Sequence, residues 1–375
     1  MKNGSKIFEL YGYPVDSWST QANQNLSCCN CPFMEAECDG GGNRFSSSIK
    51  LTQTHPLKKY FNRKSQIQAG VCSLQLHPGE QPWIVCPRRL LNYRQSAKND
   101  LQREIKNQLY SKSELVSGRK YTVWSEVKMK CHVNNAKGKG LFDYTFDYVI
   151  TGSERKSLDE ISKMLGMDKS EIKDLILESG LTTCFCDGQT FCDDFPCAPL
   201  VIVEVMTSST SGGNKKNRTQ VAQLFEDTVL QLNGENVEPI GPGINYRQVW
   251  ARMVSQLLVK SQIGMAWGGT TFWVLQDRLV DYISKTTALE LSDFLAEHKS
   301  EVNIIAGGYG NNLYPSSRRG DFALIEDIKL YSGPVTSSNS SSKSFSDIIK
   351  LGCTPHISEL WRKLLQKKPC AFFKL

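Results

Sequence analysis

Three kinds of pattern are missing from the sequence, and each absence excludes a class of protein. No run of about 18 apolar residues occurs, so no segment predicts a transmembrane helix. The first stretch, "MKNGSKIFELYGYPVDSW", lacks the continuous apolar core of a signal peptide, and we expect a cytoplasmic protein with no membrane partner. The five histidines show no triad with a nearby nucleophile, and no CxxC motif lies near a βαβ pattern. A histidine-dependent hydrolase and a redox protein are therefore poorly supported.

Basic residues are concentrated in one part of the chain. Between Lys50 and Lys130 there are 16 Lys and Arg residues against 5 Asp and Glu, in a chain with a formal net charge of +7. Such an excess favours contact with a polyanion such as double-stranded DNA. A solvated basic face is the alternative, and charge alone does not separate the two.

Thirteen cysteines in a chain without an export signal favour metal sites over disulfides. The first group of four comprises Cys31, Cys38, Cys72 and Cys86. Four thiolates can close a tetrahedral structural site for Zn²⁺ or for one iron ion. Buried free thiols are the alternative, and the neighbouring Cys28 and Cys29 blur the choice of ligands.

A second group of cysteines lies within fourteen residues and comprises Cys184, Cys186, Cys192 and Cys197. This spacing is compact enough for a second Zn²⁺ site that clamps neighbouring segments together. Reduced thiols in a loop are the alternative.

Acidic residues interrupt two segments that otherwise resemble buried strands. Asp147 lies in "LFDYTFDYVITG", and Glu204 ends the apolar run of "APLVIVEV". A carboxylate on a buried strand is costly unless a cation pairs with it. We therefore expect Asp147 and Glu204 to share one metal ion. Asp143 competes with Asp147, because both fall on the same face of the strand.

Strand-like and helix-like segments alternate along the chain. The predicted strands are "RKYTVWSEVKMKCHV", "LFDYTFDYVI", "LVIVEV", "TTFWVLQ", "EVNIIAG" and "DFALIEDIKLY". The predicted helices are "TQVAQLFEDTVLQL", "NYRQVWARMVSQLLVKSQI", "DRLVDYISKT" and "ISELWRKLLQKK". This alternation predicts an α/β fold with a mixed sheet flanked by helices.

The composition shifts divide the chain into four parts. Residues 1–95 form a cysteine-rich N-terminal domain, and residues 96–152 and 198–335 form the α/β core. Residues 153–197 are an insert in that core, and residues 336–375 are a Ser-rich linker with a C-terminal helix.

Several short motifs resemble one enzyme family. "CPF" at 31–33, Cys38, "GVC" at 70–72 and "WIVCP" followed by Arg88 and Leu90 are similar to the N-terminal metal fold of the NotI-type restriction endonucleases. In that family four cysteines hold an iron ion next to the DNA. The similarity runs on to about residue 285 and is weak after that.

The resemblance implies a nuclease core of the PD-(D/E)xK type, in which Mg²⁺ activates water and stabilises charge on the scissile phosphate. Asp147 and Glu204 match the metal-binding carboxylates of the family, and Glu126 in "WSEVK" stands where the family has an upstream Glu. Arg88 and Arg89, in the last cysteine motif, are then expected to contact DNA.

Met206 departs from the family's pattern. The position two residues after Glu204 is Lys in most such nucleases and Gln in the NotI type, and a Met side chain cannot orient water or bind an oxyanion. Lys128, Lys215 and Lys216 are candidate substitutes, among which Lys215 is our choice for catalysis and Lys216 for DNA contact. Otherwise the side chain at this position matters little, or the site is degenerate.

The insert contains a pattern typical of a helix-turn-helix motif. In "LDEISKMLGMDKSEIKDLI" two apolar helical stripes are separated by a turn at Gly166. Lys169, Ser170 and Lys173 would then face the DNA. An ordinary helical hairpin is the alternative, and the acidic Glu171 beside them counts against a strongly electrostatic contact.

The sequence therefore leads to two functional hypotheses. The first is a type II restriction endonuclease with Mg²⁺ at the three carboxylates and water as the nucleophile. Cutting both strands of a palindromic site would require a homodimer, and the helix after residue 245 is a candidate interface unless it packs in the core. The second is a metal-stabilised DNA-binding protein with an inactive nuclease core.

Overall fold

The computed structural model describes residues 4–41, 47–93, 101–135, 138–210, 220–310, 322–338 and 342–349. Lys215, Lys216 and the helix predicted for "ISELWRKLLQKK" lie outside these ranges. Among the described helices, none has the length and apolar character needed to cross a membrane.

All six predicted strands are present, and the described residues form nine further strands that the sequence patterns did not predict. In chain order they are β1 (Lys6–Leu10), β2 (Tyr13–Pro14), β3 (Asn30–Cys31), β4 (Ala36–Glu37), β5 (Ser48–Lys50), β6 (Gln66–Gln68), β7 (Val71–Gln75), β8 (Trp83–Ile84), β9 (Tyr121–Asn135), β10 (Gly138–Ser157), β11 (Thr183–Cys186), β12 (Gln189–Met206), β13 (Thr270–Gln276), β14 (Val302–Tyr309) and β15 (Ile325–Gly333).

The helices are α1 (Thr20–Cys28), α2 (Pro87–Leu90), α3 (Arg103–Lys112), α4 (Leu158–Leu165), α5 (Lys169–Ser179), α6 (Gln220–Leu232), α7 (Tyr246–Ala266) and α8 (Asp277–Thr286). Short 3₁₀ helices lie at Val15–Ser17, Pro56–Lys59, Leu291–Phe294 and Phe345–Ile349. The last of these falls within the predicted Ser-rich linker.

A large mixed sheet forms the core and confirms the predicted α/β class. Its strand order is β15-β14-β13-β12-β10-β9, with β11 paired to β12. The central strands β12, β13 and β14 are parallel, and the outer pairs are antiparallel. Parallel neighbours need long crossover connections, which α6, α7 and α8 provide.

Helices cover both faces of the central strands. On one face, residues of α2 and α3 join a core with β10, β12 and β13 that includes Leu90, Ile105, Val203 and Phe272. On the other face α7 and α8 pack over β13 and β14. Every residue of β13 and of β14 is buried, as expected for parallel strands covered on two sides.

The helix after residue 245 packs in the core. Val249, Met253 and Leu257 of α7 are buried in the same cluster as Trp273 and Ile304. Of the two roles considered for this helix, the structure supports core packing.

The N-terminal residues form a second, antiparallel sheet with the order β2-β1-β7-β8. It is joined to the core at the carboxyl ends of β12 and β13. Ser208 N–H donates to the Ile84 carbonyl at 3.0 Å, and Ile84 N–H donates to the Gln276 side chain at 2.9 Å. The cysteine-rich fold therefore lies at the edge where β12 ends.

The insert is a helical hairpin carried by two long strands. β10 continues to residue 157 and β12 begins at residue 189, so both strands run past the predicted boundaries at 153 and 197. A capping box between Ser157 and Glu160 starts α4, and Gly166 ends it in the left-handed conformation. Ile161 and Ile176 pack α4 against α5. The helix, turn and helix agree with the sequence pattern, while their contact with DNA stays a prediction.

Candidate active site

Asp147 and Glu204 lie side by side on neighbouring antiparallel strands. Tyr148 of β10 is the Cα partner of Val203 of β12, and the two acidic residues are the next positions along each strand. Val205 N–H donates to Asp147 Oδ2 at 2.9 Å, so this carboxylate accepts a bond from the backbone of the neighbouring strand. The sheet therefore brings together two side chains that are 57 positions apart in the sequence.

Glu204 is buried, and Asp147 is partly buried. Glu204 is 3% exposed, and burial together with the nearby Asp147 raises the pKa of Glu204 to about 8, although Lys260 opposes the shift. Burial also raises the pKa of Asp147. Glu204 Oε1 is buried and has no hydrogen-bond partner among the described residues. A site of this kind favours either a proton or an added cation.

Lys260 of α7 supplies a buried positive charge to the pair. Its Nζ donates to Glu204 Oε2 at 2.6 Å and to the Thr145 carbonyl at 2.7 Å, and the residue is only 4% exposed. Met206 instead packs against the apolar cluster beneath α7. Met206 supplies no polar group next to Glu204. Lys260, which belongs to α7, supplies one instead.

The sequence motifs do not single out Lys260, although its position in the helix carries a signal. Val249, Met253 and Leu257 form the buried stripe of α7, and Lys260 follows them on the same helical face. A lysine on an apolar stripe must find a partner, because an unpaired buried charge is very costly. The partner itself could not be identified without the packing of α7 on β12.

Glu126 lies across from Asp147 on the other side of β10. Its neighbours Ser125 and Val127 are the Cα partners of Tyr148 and Phe146. Glu126 has φ +53°, and its side chain is 41% exposed. It is therefore at the rim of the site, whereas Asp147 and Glu204 are at its centre. Asp143 lies farther along the strand, is exposed and has Lys130 as its Cα partner.

The carboxylate pair suits a magnesium ion that shares its coordination with a substrate. Within the described residues, no group of three or more His, Cys, Asp or Glu side chains is arranged to hold a metal. Mg²⁺ is commonly bound by one or two carboxylates, water and substrate phosphates. Two adjacent carboxylates and an unsatisfied Glu204 Oε1 fit that requirement.

The first group of cysteines is brought together in the N-terminal fold. Cys31, Cys72 and Cys86 are buried in one cluster, and Cys38 packs against it. Burial raises the pKa of Cys31 to about 12, so that thiol is neutral when no cation is present. Their clustering agrees with the predicted grouping, and a bound metal stays a prediction.

The second group of cysteines is spread over different surroundings. Cys192 is buried in the core between α4 and α5, and Cys186 is exposed. Cys197 Sγ lies 3.2 Å from the guanidinium of Arg119, whereas Cys184 Sγ lies 3.3 Å from Asp193. The structure does not bring these four sulfurs together.

The predicted DNA contacts divide into buried and exposed residues. Arg89 is 1% exposed and pairs with the buried Glu9 at 3.0 Å, so its burial argues against contact with DNA. From the sequence Arg89 was expected to contact DNA, and its burial corrects that expectation. Strand β1 of the N-terminal sheet provides Glu9 as its partner, which the sequence could not show. Lys169, Ser170 and Lys173 are exposed on α5.

No protein-family model matches this chain, and a search of curated proteins gave no match. The resemblance to NotI-type enzymes therefore rests on the short cysteine and carboxylate motifs, and the candidate site is defined by the contacts of Asp147, Glu204 and Lys260.

Proposed function

We propose that this chain is a Mg²⁺-dependent endonuclease that hydrolyses phosphodiester bonds in double-stranded DNA, with the site specificity of a type II restriction enzyme. The observation that carries the proposal is the pair of the partly buried Asp147 and the buried Glu204, with Lys260 Nζ 2.6 Å from Glu204 Oε2. The basic segment between Lys50 and Lys130 supports a DNA substrate.

Asp147 and Glu204 would hold the magnesium ion. When bound, Mg²⁺ lowers the pKa of water and stabilises negative charge on the phosphate. The protein's own contribution is to hold the two carboxylates in fixed positions next to each other. Because burial and the neighbouring Asp147 raise the pKa of Glu204 to about 8, its carboxyl would release a proton to solvent on binding a cation.

Lys260 orients Glu204 and supplies positive charge close to the scissile phosphate. Its bonds to Glu204 Oε2 and the Thr145 carbonyl fix the ammonium group and leave Oε1 for the cation. The same charge would stabilise the negative charge that develops on the phosphate in the transition state. In this scheme Lys260 replaces Lys215, the lysine chosen from the sequence.

A homodimer is part of the proposal, because cutting both strands of a palindromic site at equivalent positions requires two copies related by a two-fold axis. The cysteine cluster would hold iron or zinc in a structural role beside the DNA. Lys169, Ser170 and Lys173 remain candidates for DNA contact.

The test is cleavage of long unmethylated DNA with Mg²⁺. We compare the wild-type protein with Glu204→Gln, which keeps the side-chain shape, and with Lys260→Met. A matched control is Lys59→Met, which removes an exposed lysine paired with Glu235. We expect discrete bands from the wild type and the control, and at least about a hundredfold slower cleavage from both site variants.

A gel shift on the same DNA separates the two functional hypotheses. If the wild type shifts the DNA without cutting it, the nuclease proposal is wrong and the protein is a DNA-binding protein. If Lys260→Met cleaves DNA as fast as the wild type while Glu204→Gln does not, the carboxylates act without this lysine.

A further inference from the structure

The guanidinium of Arg88 joins the cysteine-rich fold to the carboxylate site. Nη1 donates to the Tyr148 hydroxyl at 3.0 Å, and Nη2 lies 3.6 Å from Glu126 Oε1. Nε and Nη2 both donate to Asp39 Oδ2, at 3.3 and 3.2 Å. The Arg88 side chain is 10% exposed, so water screens these contacts weakly. Two of its three partners belong to the strands that carry the site.

Asp39 is fixed by the cysteine-rich fold. Its Oδ1 accepts a hydrogen bond from Gly41 N–H at 2.9 Å. Asp39 directly follows Cys38, and Arg88 lies two residues after Cys86. Gly41 also lies directly on Cys86, where a Cβ atom would collide with the sulfur. The position of Arg88 therefore depends on the packing of the cysteine cluster.

Glu126 is a residue that needs such a support. Its φ of +53° lies in a region that side chains with a Cβ rarely adopt, and its side chain is 41% exposed. The planar fork of arginine can meet Asp39, Tyr148 and Glu126 together, which the single ammonium group of lysine cannot do.

We propose that Arg88 is a positioning residue, which holds Glu126 beside Asp147 and so links the cysteine-rich fold to cation binding and cleavage. The proposal rests on the proposed function, because it places Glu126 at the rim of the cation site that Asp147 and Glu204 would form. It differs from the DNA contact expected for Arg88 from the sequence, since the guanidinium is directed at protein carboxylates.

The test is a double-mutant cycle with Arg88→Lys and Glu126→Gln in the full chain. Two quantities are measured for the wild type, both single variants and the double variant: the Mn²⁺ affinity without DNA, by titration calorimetry, and the single-turnover rate of DNA cleavage. Arg88→Lys keeps the charge and removes the fork. Thermal unfolding of each variant confirms that it is folded.

We expect each single variant to lower both quantities about tenfold, as is typical for residues that orient a metal ligand. If Arg88 acts through Glu126, the Mn²⁺ affinity and cleavage rate of the double variant should be no lower than those of the more impaired single variant. Losses that multiply to about a hundredfold, or an Arg88→Lys variant with unchanged Mn²⁺ affinity, would overturn the proposal.

Asp39→Asn gives an independent version of the test. It keeps Arg88 and weakens its anchor, so we expect the same losses and the same lack of additivity with Glu126→Gln. It takes the place of Arg88→Lys if that variant does not fold. Lys59→Met, remote from the site, should combine additively with Glu126→Gln and change neither quantity.

The two readouts separate this proposal from the proposed function. Mn²⁺ binding without DNA cleavage in the wild type would overturn the nuclease function, while the cycle on Mn²⁺ affinity still decides the role of Arg88. A wild type that binds no Mn²⁺ would overturn both.

Discussion

Replacing Glu204 by Gln should remove a loss of stability that the metal-free protein suffers as the pH rises. Glu204 is buried next to Asp147, and the pKa of its carboxyl is about 8 instead of the ordinary 4.5. The folded state therefore holds a proton that the unfolded chain releases at much lower pH. Gln has a similar shape, carries no charge and retains an oxygen that can accept from Lys260.

The size of the effect follows from the two pKa values. A group whose pKa is raised in the folded state stabilises the protein fully at any pH below its pKa in the unfolded chain. This contribution is lost as the pH rises to its pKa in the folded state. For Glu204 this window runs from pH 4.5 to about 8. Each pH unit in the window costs the wild type about 1.4 kcal/mol relative to the variant, and the whole window costs roughly 5 kcal/mol.

The measurement is the free energy of unfolding in urea between pH 4 and pH 9, with a reducing agent and without divalent cations. The difference between Glu204→Gln and the wild type should grow through the window and become constant above about pH 8. Glu235→Gln, at an exposed ion pair with Lys59, is the matched control and should show little pH-dependent difference. Parallel curves for Glu204→Gln and the wild type would refute the argument that Glu204 is desolvated.

Three other predictions follow from the geometry of the chain. The affinity for Mg²⁺ should rise about tenfold per pH unit up to about pH 8 and then level off, because binding displaces the Glu204 proton. Calorimetry in two buffers measures the proton release. An affinity that does not change with pH would contradict this prediction. Asp147→Asn should abolish DNA cleavage, and Asp143→Asn should leave it unchanged. Equal losses of cleavage rate in the two variants would contradict the assignment of Asp147 alone to the site. Ile161→Ala, in the core of the helical hairpin, should lower the free energy of unfolding by about 2–5 kcal/mol and increase hydrogen exchange in α4 and α5. A similar increase in β12 would show that the hairpin does not open separately from the sheet.

Much of the fold could be predicted from local sequence patterns. The apolar run of β13 and the apolar period of α7 each identify an element correctly, because burial on one or both faces fixes the spacing of apolar residues. Gly166 marks the end of α4, because glycine readily adopts its φ of +67°. The boundaries of the insert were less predictable, since β10 and β12 continue as paired strands whose outer residues are only partly buried.

Part of the site could also be predicted. Asp147 and Glu204 stand out because a carboxylate in a buried strand requires a partner, and the sheet places them side by side. Cys31, Cys72 and Cys86 could be grouped by residue type and cluster in the N-terminal fold. The remaining ion pairs could not be found in this way, because a charge pattern does not show which side chains meet.

The sequence by itself determined the six predicted strands of the core sheet, the helices of its crossovers and the two carboxylates that the sheet places side by side. Only the tertiary structure decided which cation meets them. Lys260 reaches Glu204 because the crossover through α7 lays one helical face on β12, and Arg89 is buried because the N-terminal sheet brings Glu9 to it. Apolar periodicity acts over a few residues, whereas these pairs join residues 56 and 80 positions apart. Long-range contacts of this kind depend on how whole elements pack, and that is the information a local pattern does not contain.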